Sequence, residues 1–327
     1  MKLLRERAVL IAIGLWIVCS AAVFPLSGGT LPFNRPALAK ASVALQLIDP
    51  LISLAALLLL MAVIYGLTKR RTIPDMTARA PEKSIAKTET IALWIYGVAV
   101  MVVGRVAGQK LFGEGIGLHL NGSLFGATRT QSPHEVCTWA IFNFVLFALV
   151  PYFVFRARGY SREALNLKSA NVRNDALVIV VVLAIICAAD LLGPNLLQLP
   201  PHEIPPGAAI SFVVHLLGTG LPVMIFIYAI LMPRYLRLTG SATTSVLLGG
   251  ASYATLHLFE YWTVYDTVPH AILSIIFVYL TFVPPGLVKS FLTLRTGNAW
   301  VHLWAFHAIS PHVTDDTGLI IRDFGIR

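Results

Sequence analysis

Apolar residues gather along the chain in runs of about twenty, a length that as a helix crosses a hydrocarbon core of about 30 Å. Short stretches of basic, glycine and proline residues separate them. The runs cover 8–26, 42–67, 90–109, 136–155, 175–193, 208–232, 243–261, 268–287 and 298–313. They lack the apolar–polar alternation of a barrel strand. The pattern predicts an all-α fold, a polytopic transmembrane helical bundle of about nine spans (eight to nine). The first run reads as an uncleaved helix rather than a signal peptide. In the second, Pro50 marks a kink or the true helix start, with Asp49 as its cap. Residues 110–135 read as a loop with an interfacial piece, and Pro200-Pro201 with Pro205-Pro206 as a stiff link.

Composition agrees with this class. Hydrophobic residues are 57% and charged residues 13% of the 327, against about 45–50% and 25% in soluble domains; mean hydropathy is +0.75. The net charge of +9 does not point to nucleic acid, because the basic residues sit in short loops beside spans, where they set orientation. With the N-terminus in the cytoplasm, 18 of the 25 Lys and Arg fall on that side, in 1–7, 68–89, 156–173, 232–242 and 288–297. The expected setting is an integral protein of a bacterial-type plasma (inner) membrane, with the lipid bilayer as its first partner. Cys19, Cys137 and Cys187 lie in apolar runs without paired spacing, so neither a disulfide framework nor a cysteine metal site is expected. No internal repeat supports an inverted-repeat transporter.

Two histidines stand out. Ionisable side chains inside membrane helices are costly and usually face a partner or a polar cavity. His257 lies roughly 21 Å and His307 roughly 14 Å from the basic ends of their runs, at 1.5 Å per residue. They can share a polar pocket if their helices are neighbours. Taken singly, each can equally be a hydrogen-bonding contact between helices.

The surrounding residues resemble the CPBP family of intramembrane proteases, the CAAX proteases and bacteriocin-processing enzymes. That family carries Glu-Glu-x-x-x-Arg, Phe-x-x-x-His and His-x-x-x-Asn in order. Tyr253-Ala-Thr-Leu-His257 looks like the second motif, with Tyr for Phe. His307-Ala-Ile-Ser-Pro311 looks like the third, with Pro311 for Asn and His312 beside it. Arg158–Lys168 and Leu292–Trp300 look like family stretches flanking the core. The resemblance covers about 156–313 and implies N-terminal helices over 1–155, a CPBP-like core over 156–313 and a polar tail over 314–327.

The resemblance implies an intramembrane endopeptidase acting on membrane-tethered peptides, with His257 and His307 as its catalytic residues. Aligning Arg234 with the first-motif arginine leaves Ala229 and Ile230, or Tyr228 and Ala229, in place of the glutamates. The loss of that base leaves a second possibility open: a catalytically inactive member serving as a binding, scaffold or assembly subunit. Cofactor and metal content stay open. Other polar residues receive plain readings. Glu260, roughly 26 Å along its run, reads as a glutamate at the far interface. Asp190 reads as an interfacial acid or cap, His215 as a packing residue, and Arg234 as an interfacial anchor. His302, His307 and His312 are spaced by five. On an α-helix that spacing turns about 140° per step, so they do not share a face.

Overall fold

The computed structural model describes residues 6–33, 41–113, 117–121, 131–192 and 196–327. Much of the expected interfacial piece in 110–135 lies outside the described residues. Among those described there is no β-strand, and seven helices are long and apolar enough to cross a membrane. They are α1 (Arg7–Ser27), α2 (Val43–Thr68), α3 (Lys83–Phe112), α4 (Pro133–Ala157), α5 (Val172–Asp190), α6 (Ile204–Thr239) and, after a shorter helix, α8 (Val268–Thr296). The chain is an integral membrane protein.

The other two expected spans are shorter. α7 (Ala242–Leu256) has 15 residues, about 22 Å of helix. The last run begins as the α-helical turn α9 (Ala299–His302), then winds as π turns at Leu303–His307 and Ser310–Asp315. A terminal helix, α10 (Thr317–Phe324), follows.

Local sequence accounts for most helix starts. Ser42, Asn171, Ser241, Thr267 and Asn298 each accept a hydrogen bond from a backbone N–H two or three residues ahead, as N-cap side chains do. Because Ser42 caps α2, that helix begins at Val43, six residues before Asp49, and Asp49-Pro50 lies within it. α8 ends at Gly297, which takes the left-handed φ of +62°. It therefore outlasts the expected 268–287 and carries Lys289 inside it rather than in a loop.

α6 is the axis of the molecule. Two thirds of its apolar window is buried, against 6% for α1, whose Leu10, Ile11 and Ile17 face outward. α7 lies against α8 through small residues. A Cβ on Gly286 would sit 2.8 Å from both the Gly250 Cα and the Tyr253 Cβ, so the backbones approach as closely as small residues allow.

Candidate functional site

At the ends bearing the basic loops, polar side chains tie the core together. Arg71 donates to Asp175 at 2.7 Å, Asn174 at 2.8 Å and the Thr296 carbonyl at 3.1 Å. Asn298 donates to Asp175 at 2.9 Å. Asn166 accepts from Arg79 at 2.7 Å and donates to the Tyr228 carbonyl at 2.9 Å, while its own carbonyl accepts from Ala299 N at 2.8 Å. The two flanking stretches that carry part of the resemblance thus meet at Asn166 and Ala299. Burial lowers the pKa of Arg79, with Glu163 and Asp75 opposing the shift.

Arg234 departs from its reading as an interfacial anchor. It is fully buried and holds Glu89 through Nη2 at 2.6 Å and Nε at 2.8 Å. The guanidinium also lies over Phe155 and Tyr160, 4.5 and 4.9 Å from the ring centres. Glu89, which the sequence pattern leaves at a loop edge, sits inside α3 because that helix starts at Lys83. Arg158 joins it at 2.9 Å and the Tyr160 hydroxyl donates at 2.8 Å. Burial, then this hydrogen bond, raises the Tyr160 pKa, so the phenol keeps the proton it donates.

Deeper in, the two candidate catalytic histidines share one neighbour. His257 meets the edge of Tyr253 at 4.4 Å between ring centres, and His307 meets the same ring at 5.9 Å. Both imidazoles are buried. Phe282 closes His257 from another side at 4.1 Å. Ala229 and Ile230, standing where the family's glutamates are expected, are fully buried apolar residues of α6.

Glu260 is also buried, contrary to its reading as an interfacial residue. α7 stops at Leu256 and His257 leaves the helical conformation at φ −101°, ψ 11°. A turn follows, with Glu260 N donating to the His257 carbonyl at 3.1 Å. The turn folds the carboxylate back, and Oε1 comes 3.2 Å from His257 Nδ1. An uninterrupted helix would have carried Glu260 onward to the far interface.

The row of histidines is a second departure. His302 and His307 lie 6.2 Å apart by ring centre, and His307 and His312 lie 5.4 Å apart. Two π turns span this stretch, and a π turn closes i to i+5. A spacing of five, which scatters side chains around an α-helix, lines them up here. The row ends on His215 of α6, whose ring stacks on His312 at 4.5 Å with the planes 6° apart. Asp316 lies 3.2 Å from His215 Nε2 and 2.9 Å from His312 Nδ1. Of the residues able to hold a metal, these three bring one ligand atom each to within 4.8 Å of one another.

Asp190, read as an interfacial acid or cap, is half-buried and is the last residue of α5. It accepts from the Ser310 and Thr314 hydroxyls, and so ties the histidine-bearing segment to α5.

Lys289 was missed as a site residue. It is buried, its Nζ 3.6 Å from the Tyr253 ring centre and 5.7 Å from that of Phe306. A signal was present in the sequence, since Val288 and Phe291-Leu292 make its surroundings apolar, and an ionisable residue there calls for a partner. Two clefts lie elsewhere. One of about 670 Å³ is lined by Asp75, Arg79, Glu163 and Asn171, and one of about 340 Å³ by Phe144, Tyr152, Arg162, Met224 and Trp300.

No protein-family model, curated protein or solved structure matches this chain. The CPBP resemblance therefore rests on the sequence motifs alone.

Proposed function

We propose that the chain is a membrane-embedded hydrolase of the CPBP kind that cleaves a membrane-tethered peptide. The observation that carries this reading is the Glu260 carboxylate 3.2 Å from His257 Nδ1, with His307 across Tyr253. Glu260 supplies the acid missing at Ala229 and Ile230. The 3.2 Å contact is not yet aligned as a hydrogen bond; as catalytic contacts do, it tightens when substrate binds, with Nδ1–H toward the carboxylate and Nε2 toward the substrate. Nε2 takes a proton from a water molecule, and the resulting hydroxide attacks the scissile carbonyl. His307 donates a hydrogen bond to the oxyanion that forms. The C–N bond then breaks as protonated His257 returns its proton to the leaving amine. A positioned base of this kind contributes about 10²–10⁴-fold in rate.

Reconstituted protein and a bilayer-anchored fluorogenic peptide test this reading. His257→Ala and His307→Ala should each lower cleavage by about 10²-fold or more at unchanged membrane level. Wild-type protein that cleaves no tethered peptide would favour the alternative, a binding or scaffold subunit. A specific observation speaks for that alternative: His257 and His307 are both buried, so a hydrolase must open to admit its substrate.

A further inference from the structure

We propose that His215, His312 and Asp316 bind a divalent transition metal of the zinc class. Their side chains are all buried, at 0%, 1% and 0% exposure. The site joins α6 to the last π turn and the start of α10, segments far apart in sequence. It goes beyond the hydrolase reading and does not depend on it.

The case begins with the His215 tautomer. Nδ1 lies 2.8 Å from the Ser211 carbonyl, and a carbonyl only accepts, so Nδ1 carries the hydrogen. The Ser211 hydroxyl is itself committed to the His312 carbonyl. In the neutral ring, Nε2 is then a lone pair. That lone pair faces a carboxylate oxygen of Asp316 at 3.2 Å. Two acceptors at that separation repel unless a positive charge lies between them. A proton on Nε2 is one solution, but no hydrogen bond of acceptable geometry joins Nε2 to any partner. His312 Nδ1, by contrast, is hydrogen-bonded to Asp316 Oδ2 at 2.9 Å; an ion would replace that hydrogen, which moves to the unpartnered His312 Nε2. A metal ion needs no N–H···O alignment.

The distances to the carboxylate suit such an ion, while the two imidazoles, stacked with their planes 6° apart, must turn for both lone pairs to meet at it. Ligand bonds of about 2.0–2.1 Å at a tetrahedral angle place ligand atoms roughly 3.3 Å apart. The two separations to Asp316 Oδ2 are 3.2 Å from His215 Nε2 and 2.9 Å from His312 Nδ1. Two imidazoles and one carboxylate are the donor set of zinc and its neighbours rather than of magnesium or calcium. The backbone carbonyl that holds His215 Nδ1–H is a usual outer partner of a metal-bound histidine. Trp139 packs edge-on against His215 at 6.0 Å and supplies an apolar wall.

The test uses the full chain purified in detergent, dialysed against a weak chelator and titrated with Zn²⁺ alone. The wild type should retain about one zinc per chain, as three protein ligands allow. His215→Ala, His312→Ala and Asp316→Ala should each weaken binding by at least about 10–100-fold, the loss that follows from removing an outer partner alone. His270→Ala, at an exposed histidine, should bind as the wild type does. Equal zinc affinity in wild type and Asp316→Ala would overturn the proposal. So would a wild type that holds no more zinc than His215→Ala, which would leave a protonated His215 in a plain salt bridge. If the variants do not fold, X-ray absorption of the Co²⁺-loaded wild type decides. Imidazole scattering supports the site, and a coordination sphere without imidazole rejects it.

Discussion

Glu89 and Arg234 form a buried ion pair whose loss bears directly on stability. Both side chains are shielded, at 1% and 0% exposure. Removing one partner of such a pair leaves an uncompensated buried charge and costs about 3–5 kcal/mol, whereas replacing both by apolar groups is often nearly neutral. Glu89→Leu and Arg234→Met should therefore each lower the Tm in detergent sharply, and the double change should recover most of the loss. Additive losses would mean that the two side chains act independently. Tyr160→Phe should cost about 1–3 kcal/mol, since it strips a hydrogen-bond donor from a buried acceptor. The Tyr160 pKa is raised in the fold, so the phenol's contribution is complete below the ordinary tyrosine pKa of about 10. It should be lost as pH rises through the raised value, and an alkaline unfolding series on wild type and Tyr160→Phe checks this sign. The sequence made Arg234 visible but not its partner. Glu89 is 145 positions away, and its neighbours Lys87 and Thr88 read as loop, so only the start of α3 at Lys83 places it inside.

At the scale of the helices, the contact of α7 with α8 depends on two glycines facing each other. A methyl group on Gly286 would meet Gly250 Cα at 2.8 Å, backbone that cannot turn aside as a side chain can. Gly286→Ala should push the helices apart and cost about 1–3 kcal/mol, read as a fall in Tm; an unchanged Tm would mean that α8 shifts freely. Gly249 and Gly250 are small enough to permit close approach, but only the fold shows that the helix they admit is α8. The π turns were not legible. A spacing of five reads as scattered on an α-helix and as aligned on a π turn, and nothing in Leu303–His307 announces the wider winding. Glu260 was misplaced for a related reason: run 243–261 is apolar throughout, yet its helix ends at Leu256 and turns back.

At the scale of the whole molecule, the all-α membrane bundle was legible because length and apolarity alone decide it. The span count was less so, since α7 and the 299–315 segment are shorter than the helices around them. The positive-inside bias predicts that reporter fusions at about residues 80, 165 and 240 read cytoplasmic. Fusions near 200 and at the C-terminus should read external, and a cytoplasmic C-terminus would mean that 299–315 does not cross. The candidate centre was half legible: His257 and His307 carry the motif resemblance, while Glu260 and Lys289 come to it only through the fold. Cleavage of a bilayer-anchored peptide by the reconstituted wild type, measured beside Glu260→Gln, tests the central claim most directly. If Glu260 orients His257 as the base, wild type cleaves and Glu260→Gln loses about 10²-fold or more without losing folded protein. Cleavage by Glu260→Gln at the wild-type rate would contradict it.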